Sequence, residues 1–493
     1  MCNNILNENK ITFKDIECEI YKVVCDVACS AIKEVLQHLD RRLMDERDTK
    51  VLRNKGVKHT CIKTIMGNVE FDRRIYEFHT EEGKKAYKFL LDEHLQMESI
   101  GFMSVNLVEK MVSNVANLSY RKSAKNIEEM SNQSISHTAV WNVIQKLGDN
   151  IKEHEKNKII KNKCGQLKGK KESKVILQEA DGVFIYMQGK DRPKRGKSKK
   201  KELKLGVFYE GFRKRNESSH EYEVINKIAY STFGSSKDFK ELGEATLAEN
   251  YNTDEIDCRV INGDGAKWIK EIAASEGVIF QLDPFHRSQA IVKAIKDKRE
   301  SKQLMELFNE GKVSDGLEYL TNLLIKYNSD ENRFKKLEDL YNYLVSNKDG
   351  LVPYKLREDV KLPTSPAGVE YRNLGTMEHN ICDILAQRFK GRKMSWSENG
   401  ASNLAKILTE LTNKNIYNFI ASQYNKLVSK EVLSSFEELV VLTPEAVDRH
   451  IKKSKVYKTK RGKVPYDGYA TTEGRKAIQN LVRNRVFSDL GFK

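Results

Sequence analysis

Between residues 172 and 295 the apolar residues fall in short blocks instead of a helical stripe, and the order of those blocks admits few folds. Val175–Met187, Leu203–Phe212 and Glu221–Phe233 read as three successive strands, and a helical stretch follows near 236–250. A fourth strand, Cys258–Ile261, feeds Asp264 and a helix through Trp268 and Ile272, and a fifth, Val278–Leu282, runs into a helix at 285–296. Strands joined directly pair antiparallel, whereas strands joined through a helix return parallel. Three of the first kind and two of the second predict an α/β unit, a mixed sheet covered by helices on both faces.

Charged residues inside such blocks need a reason. Asp181 lies within the apolar run VILQEADGVFI, where an unpaired carboxylate costs several kcal/mol unless a cation or a basic partner offsets it. An edge-strand aspartate facing water is the plain alternative. Glu179 shares its face by strand alternation and is the competing acid. Asp264 stands between Gly263 and Gly265 where a strand gives way to a helix, the customary place for ligands in sheets with parallel strands, and also a place for an N-cap. Glu378 follows Gly375 and Thr376 in the first turn of an amphipathic helix, where backbone dipoles favour a carboxylate. Cys382, Leu385 and Phe389 continue its face toward the core. Glu398, in MSWSENGAS, lies in a turn-like segment and competes with it; rigid placement on a helix favours Glu378. Two strand-borne aspartates and a helix-borne glutamate form a donor set for two divalent cations about 4 Å apart, the arrangement that cleaves phosphodiesters.

Charge points to the same class of substrate. Lys+Arg 86 against Asp+Glu 70 gives a net charge of +16, which suits a polyanion more than a small metabolite. Lys190, Arg192, Lys194, Arg195, Lys197, Lys199, Lys200 and Lys201 crowd the connection between the first two strands, as phosphate contacts or as a solvated hairpin tip. Residues 119–150 read as two helices around a polar turn, with Ser136 as cap and His137, Thr138 and Asn142 outward, a plausible helix-turn-helix facing a major groove. A short helical hairpin of no special function gives a similar pattern. Gly196-Lys197-Ser198 mimics the end of a phosphate-binding loop, but Gly189 is too far upstream, so ATP use is not expected.

Upstream, residues 12–50 carry a helical stripe, and Cys61–Met66 and Val69–Tyr76 flank Gly67-Asn68, a two-residue hairpin signal. The eight cysteines form no C-x-x-C pair, and Cys18, Cys25 and Cys29 share a helical face as buried thiols. With no basic n-region before an apolar core, and no run near the ~20 apolar residues of a membrane span, a reduced, cytoplasmic protein is expected.

The runs DG at 181–182, GDGAKWI at 263–269, DPFHR at 283–287, and GTMEHN at 375–380 followed by GRKMSW at 391–396 resemble the Mutator-like DDE transposases of bacterial insertion sequences, most nearly the ISLre-type branch. The similarity runs from about residue 60 to 415. It implies a ribonuclease-H-like fold with an all-helical insertion, preceded by a mostly helical DNA-binding region. It further implies a metal-binding triad of Asp181, Asp264 and Glu378, with Mg²⁺ as cofactor and Mn²⁺ able to substitute. Asp283 and His286 match the family's (Cys or Asp)-x-x-His element beside the active site, with Asp where many relatives carry Cys. The implied partners are the double-stranded DNA of transposon ends and target, held by a homodimer or larger synaptic complex associated with the nucleoid. A transposase-derived binding protein without catalysis, and a simple ribonuclease-H-like nuclease, are the alternatives. The expected division is a helix and hairpin region at 1–100, helix-turn-helix at 101–165, catalytic domain at 170–296 and 366–415, helical insertion at 297–365, and a basic helical end at 416–493.

Overall fold

The computed structural model describes residues 12–95, 101–193, 199–216 and 220–424. Lys194, Arg195 and Lys197, and the basic stretch Lys452–Lys463, lie outside the described residues. The chain divides into two units: the first takes the residues up to Met111 and Tyr120–Val140, the second Val112–Ser119 and Trp141–Phe419.

In the first unit, helix α1 (Phe13–Glu46) starts at Thr12, whose side chain accepts from the Asp15 N–H while Asp15 returns a bond to the Thr12 backbone. Strands β1 (Arg53–Thr64), β2 (Gly67–His79) and β3 (Lys85–Lys88) form an antiparallel sheet. Leu36 and Leu39 of α1 pack on Val69 and Phe71 of β2 and on Leu91 of α2 (Leu90–Leu95). The hairpin turn is not Gly67-Asn68 as the sequence suggests. Thr64 pairs with Gly67, which leaves Ile65-Met66 as the turn. The Thr64 hydroxyl accepts from the Met66 N–H and donates to the Gly67 carbonyl, and Gly67 takes φ +132° to rejoin the ladder.

Helices α3 (Val105–Asn117), α4 (Tyr120–Met130) and α5 (His137–Lys163) follow, and the boundary between the units falls within α5. The Ser136 hydroxyl accepts from the Ala139 N–H and so caps α5.

The second unit holds a five-stranded sheet. Its strands are β4 (Val175–Tyr186), β5 (Lys200–Tyr209), β8 (Ile228–Thr232), β9 (Cys258–Gly263) and β10 (Val278–Leu282); β6 (Phe212–Lys214) and β7 (Tyr222–Val224) form a separate ribbon. The sheet order is β10-β9-β4-β5-β8, with β4 parallel to β9, β9 parallel to β10, and β4-β5-β8 antiparallel. Two of the expected strands are interrupted. Gly211 at φ +152° separates β5 from β6, and Asn226 at φ +53° separates β7 from β8; these left-handed backbones end a ladder that the apolar pattern alone would continue.

One face of the sheet is covered by α6 (Ser236–Asn250) and α7 (Lys267–Ala273), whose Phe239, Leu242, Ile269 and Ile272 pack on Ile176, Ala180, Phe208 and Ile261. From β10 the chain enters α8 (Pro284–Ala294) and the helical insertion α9 (Lys298–Asn309), α10 (Val313–Lys326) and α11 (Glu331–Ser346), which share a core of Leu282, Ile291, Leu304, Phe308, Leu320 and Leu340. After an irregular stretch containing Pro363 and Pro366, α12 (Met377–Asn380) continues through a π-helical segment, Ile381–Ala386, into α13 (Gln387–Lys390). The chain then forms α14 (Glu398–Thr412) and α15 (Ile416–Tyr424). Among the described residues no helix is long and apolar enough to cross a membrane, and the seven described cysteines are free thiols.

Helix α5 approaches α14 closely at Gly148, where an added Cβ would lie 2.4 Å from the Asn403 Cβ. Asn403 is buried and its amide donates to the Gln145 carbonyl at 3.1 Å, so it has little freedom to yield. Gly148→Ala is therefore expected to destabilise the protein by about 1–3 kcal/mol through overpacking, measured by urea unfolding; an unchanged midpoint would show that the two helices can separate without cost.

Candidate active site

The acids are brought together by strand register. The β4–β9 ladder ends with Glu179 opposite Asn262, and β9–β10 ends with Gly263 opposite Leu282. Continuing those registers sets Asp181, midway along β4 where its parallel pairing stops, beside Asp264, and Asp264 beside Asp283, the last two just past the carboxyl ends of β9 and β10. Asp264 directly follows β9, and Gly265 at φ +89° turns the chain so that the Asp264 carboxylate accepts from the Ala266 N–H at 2.8 Å. The N-cap of α7 is Ala266, so Asp264 closes a local turn and does not cap the helix.

Asp181, His286 and Glu378 each offer a donor atom within 4.8 Å of the other two. Asp264 does not belong to that group; burial, with the Asp181 and Asp283 charges adding, pushes its pKa up, against the Ala266 N–H and His286, which lower it. The His286 Nε2 is 3.7 Å from Asp181 and 3.8 Å from Asp283. The Asp181 carboxylate raises the imidazole pKa most, with Asp283 and Asp264 adding to it and burial opposing. Asp283 is buried and caps α8.

Glu378 is exposed, and Cys382, expected on a core-side face, is exposed with it, while Leu385 and Phe389 are buried. The π-helical segment is the reason. Its wider winding breaks the 3.6-residue extrapolation between the two ends of the helix. Glu398 is not in a turn: it opens α14 behind the Ser397 cap and forms an ion pair with Lys201 at 2.6 Å. Lys201 is thus engaged away from the other lysines of its loop, and Lys199 and Lys200 remain exposed. His137, Thr138 and Asn142 are all exposed on α5.

Three contributors were not legible from the sequence. Glu179, the competing acid, is 0% exposed. Its carboxylate accepts from the Tyr209 hydroxyl, from the Asn262 amide at 3.0 Å, from the Thr376 N–H and hydroxyl at 3.1 and 2.7 Å, and from the Met377 N–H at 3.1 Å. It therefore binds the start of the helix that bears Glu378 to the strand that bears Asp181. Burial and the Glu179 charge hold the Tyr209 hydroxyl well above the usual phenol range, so it stays a donor. Glu202 on β5 rests against Gly182, where an added Cβ would meet its Oε1 at 2.2 Å. Burial, with Asp264 and Asp181 adding, raises its pKa. Tyr343 of α11 donates to the Asp264 carbonyl at 2.9 Å, linking the insertion to the site. The only available signals were an acid two residues before Asp181 and a glycine beside it.

The chain matches an uncharacterised protein family, UPF0236, over residues 6–418, and it belongs to that family. It is 24% identical over 462 residues to a UPF0236 protein of Caldanaerobacter subterraneus subsp. tengcongensis, covering 90% of this chain and 89% of that protein, whose name spans eleven loci from TTE0033 to TTE2212. A second protein of that bacterium, UPF0236 protein TTE0402, is 25% identical over 468 residues, covering 90% of this chain and 84% of its own. A UPF0236 protein in the vanSb 3′ region of Streptococcus gallolyticus is 23% identical over 412 residues, covering 81% and 83%.

The geometry predicts how His286 titrates. Its raised pKa contributes stability that is complete below the usual imidazole value of about 6.5 and is lost as pH rises through the folded value. In Asp181→Asn the principal cause of the shift is removed, so the His286 resonance in an NMR titration should move to lower pKa. A midpoint equal to that of the unaltered protein would show that Asp181 does not control the ring.

Proposed function

We propose that the chain is a DDE transposase, Mutator-like and of the ISLre type, that binds the ends of an insertion sequence and carries out metal-dependent DNA nicking and strand transfer. The observation that carries this reading is the convergence of Asp181 and Glu378, far apart in sequence, to within 4.8 Å of each other, with Asp264 in register beside Asp181. The strand order, three antiparallel strands followed by two parallel ones on the first strand's other side, supports a ribonuclease-H-like core. A relative present at eleven loci of one bacterium supports a gene that multiplies itself. The net charge of +16 supports a nucleic-acid partner.

The donor set fits a divalent metal. Carboxylates crowd one another, and Asp264 and Glu202 are raised in part by their neighbours' charges, so a cation would relieve them. Asp181, Asp264 and Glu378 would hold Mg²⁺, or Mn²⁺, which when bound neutralises the phosphodiester and activates the attacking oxygen. The His286 Nε2 faces both the Asp181 and the Asp283 carboxylates and would help to position them, while Asp283 also accepts from the His286 backbone N–H. Magnesium prefers oxygen donors, so the imidazole serves better as this positioning group than as a ligand.

In the first reaction a water oxygen bonds to phosphorus and the 3′ oxygen leaves as a hydroxyl. In the second that hydroxyl attacks a target phosphodiester, and one such bond replaces another without ATP. Two ends must be held at once, so the working form is a dimer or larger assembly.

Two experiments bear on this reading. Glu378→Gln keeps the side chain's shape and removes its charge; it should abolish Mg²⁺-dependent nicking of an end-containing duplex, as Asp181→Asn should, while Glu398→Gln, which loses only its ion pair with Lys201, stays substantially active. An inactive Glu398→Gln beside an active Glu378→Gln would refute the assignment, and no nicking by the unaltered chain would favour a binding protein without catalysis. Replacing His137, Thr138 and Asn142 together by alanine should weaken binding to the element's ends and spare random DNA. Equal losses on both, in gel-shift titrations, would remove α5 as the reader.

A further inference from the structure

Beyond Gly182, β4 leaves the cover of α6 and α7 and presents two large aromatic rings to solvent. Phe184 is 52% exposed and Tyr186 is 47% exposed, while Val183 and Ile185, which alternate with them, are buried on the opposite face. Exposed aromatic side chains two apart on one strand are costly to leave in water without a partner. Their neighbours carry positive charge. Lys200 pairs across the ladder with Tyr186, and its Nζ lies 4.8 Å from that ring's centroid; Lys199 beside it is exposed. Glu202 pairs with Phe184, but its carboxylate turns back over Gly182, with one oxygen 3.8 Å from the Lys204 Nζ.

We propose that this face of β4 and β5 is a stacking platform for unpaired nucleotides of a DNA strand. The proposal rests on the reading of the chain as a DNA-processing protein and names a form of DNA that the reading leaves open. Residues two apart on a strand repeat at about 6.6–6.8 Å, a spacing that allows an extended strand to set one base on each ring, as aromatic residues on an open sheet do in single-strand binders. The rings lie about 10 and 17 Å along β4 from Asp181, on the opposite face of the strand from its carboxylate, so the platform is a surface distinct from the acidic cluster. Lys199 and Lys200 complement the phosphates of that strand. A duplex hides its base faces inside the stack and offers these rings nothing to stack on, so the occupant is unpaired.

The test uses the full chain and two oligonucleotide probes: a forked duplex with 2-aminopurine in one unpaired arm, and a fully paired duplex of the same sequence. Binding of the fork should quench the 2-aminopurine fluorescence. Phe184→Ala and Tyr186→Ala should each weaken binding to the fork by about 5- to 100-fold and relieve the quench, with affinity for the paired duplex unchanged. Phe184→Trp should restore both signals. Phe184→Leu keeps an apolar side chain without a π face, and it should behave as the alanine variant does even if that variant melts early. Alanine and leucine variants that bind and quench the fork as the unaltered chain does would overturn the proposal, as would equal losses on both probes. Mg²⁺-dependent nicking is scored separately. A chain that nicks while its variants bind the fork normally refutes the platform alone; a chain that never nicks but loses fork binding in the variants refutes catalysis and leaves the platform standing.

Discussion

The Glu179 carboxylate is out of reach of water and must be solvated by the protein. It takes that solvation from one tyrosine, one asparagine, the Thr376 hydroxyl and the backbone amides of Thr376 and Met377 at the start of α12. The helix start is an anion site by its own electrostatics, since its N–H groups have no intrahelical acceptors. Both halves need each other: buried donors without an acceptor would cost about 1–3 kcal/mol per group left unpaired, and the buried charge without donors more. This reciprocity fixes where the helix begins against the sheet, and with it where Glu378 points. Asn262 extends the arrangement sideways, because its amide also donates to Asp283 at 3.1 Å, and Asp283 faces His286.

The acid cluster is thus held from two directions. On the strand side, register alone places Asp181, within β4, beside Asp264 and Asp283, which directly follow β9 and β10. On the helical side, Tyr343 reaches from α11 to the Asp264 carbonyl, and Asn347 occupies the space beside Gly265 that a side chain would need. The insertion is therefore part of the support of the site, although none of its residues belongs to the donor group.

How far the sequence led can be seen at particular residues. Asp181 and Asp264 were legible because an acid inside or just after an apolar run has few innocent explanations. The five sheet strands were legible for the same reason, from their blocks of apolar residues. Glu179 was not, because its partners are almost two hundred residues away and no local pattern encodes them. The course of the helix from Glu378 to Phe389 was misread because a π-helical segment changes the period without changing the composition. The hairpin turn at Ile65-Met66 was misplaced because a threonine hydroxyl, and not the glycine, closes it. Local rules failed where a single long-range or side-chain bond outweighed propensity.

The distance between Glu179 and Thr376 along the chain, 197 residues, also sets a clock. During synthesis at about 5–20 residues per second, roughly 10–40 s separate the emergence of the strand from that of the helix it must capture. Throughout that interval Asp181 exists without Glu378, and Asp264 and Asp283 join it only partway through. The nascent polypeptide therefore holds no assembled acid cluster until most of it has been made, and the meeting of Asp181 with Glu378 is a late event of its synthesis.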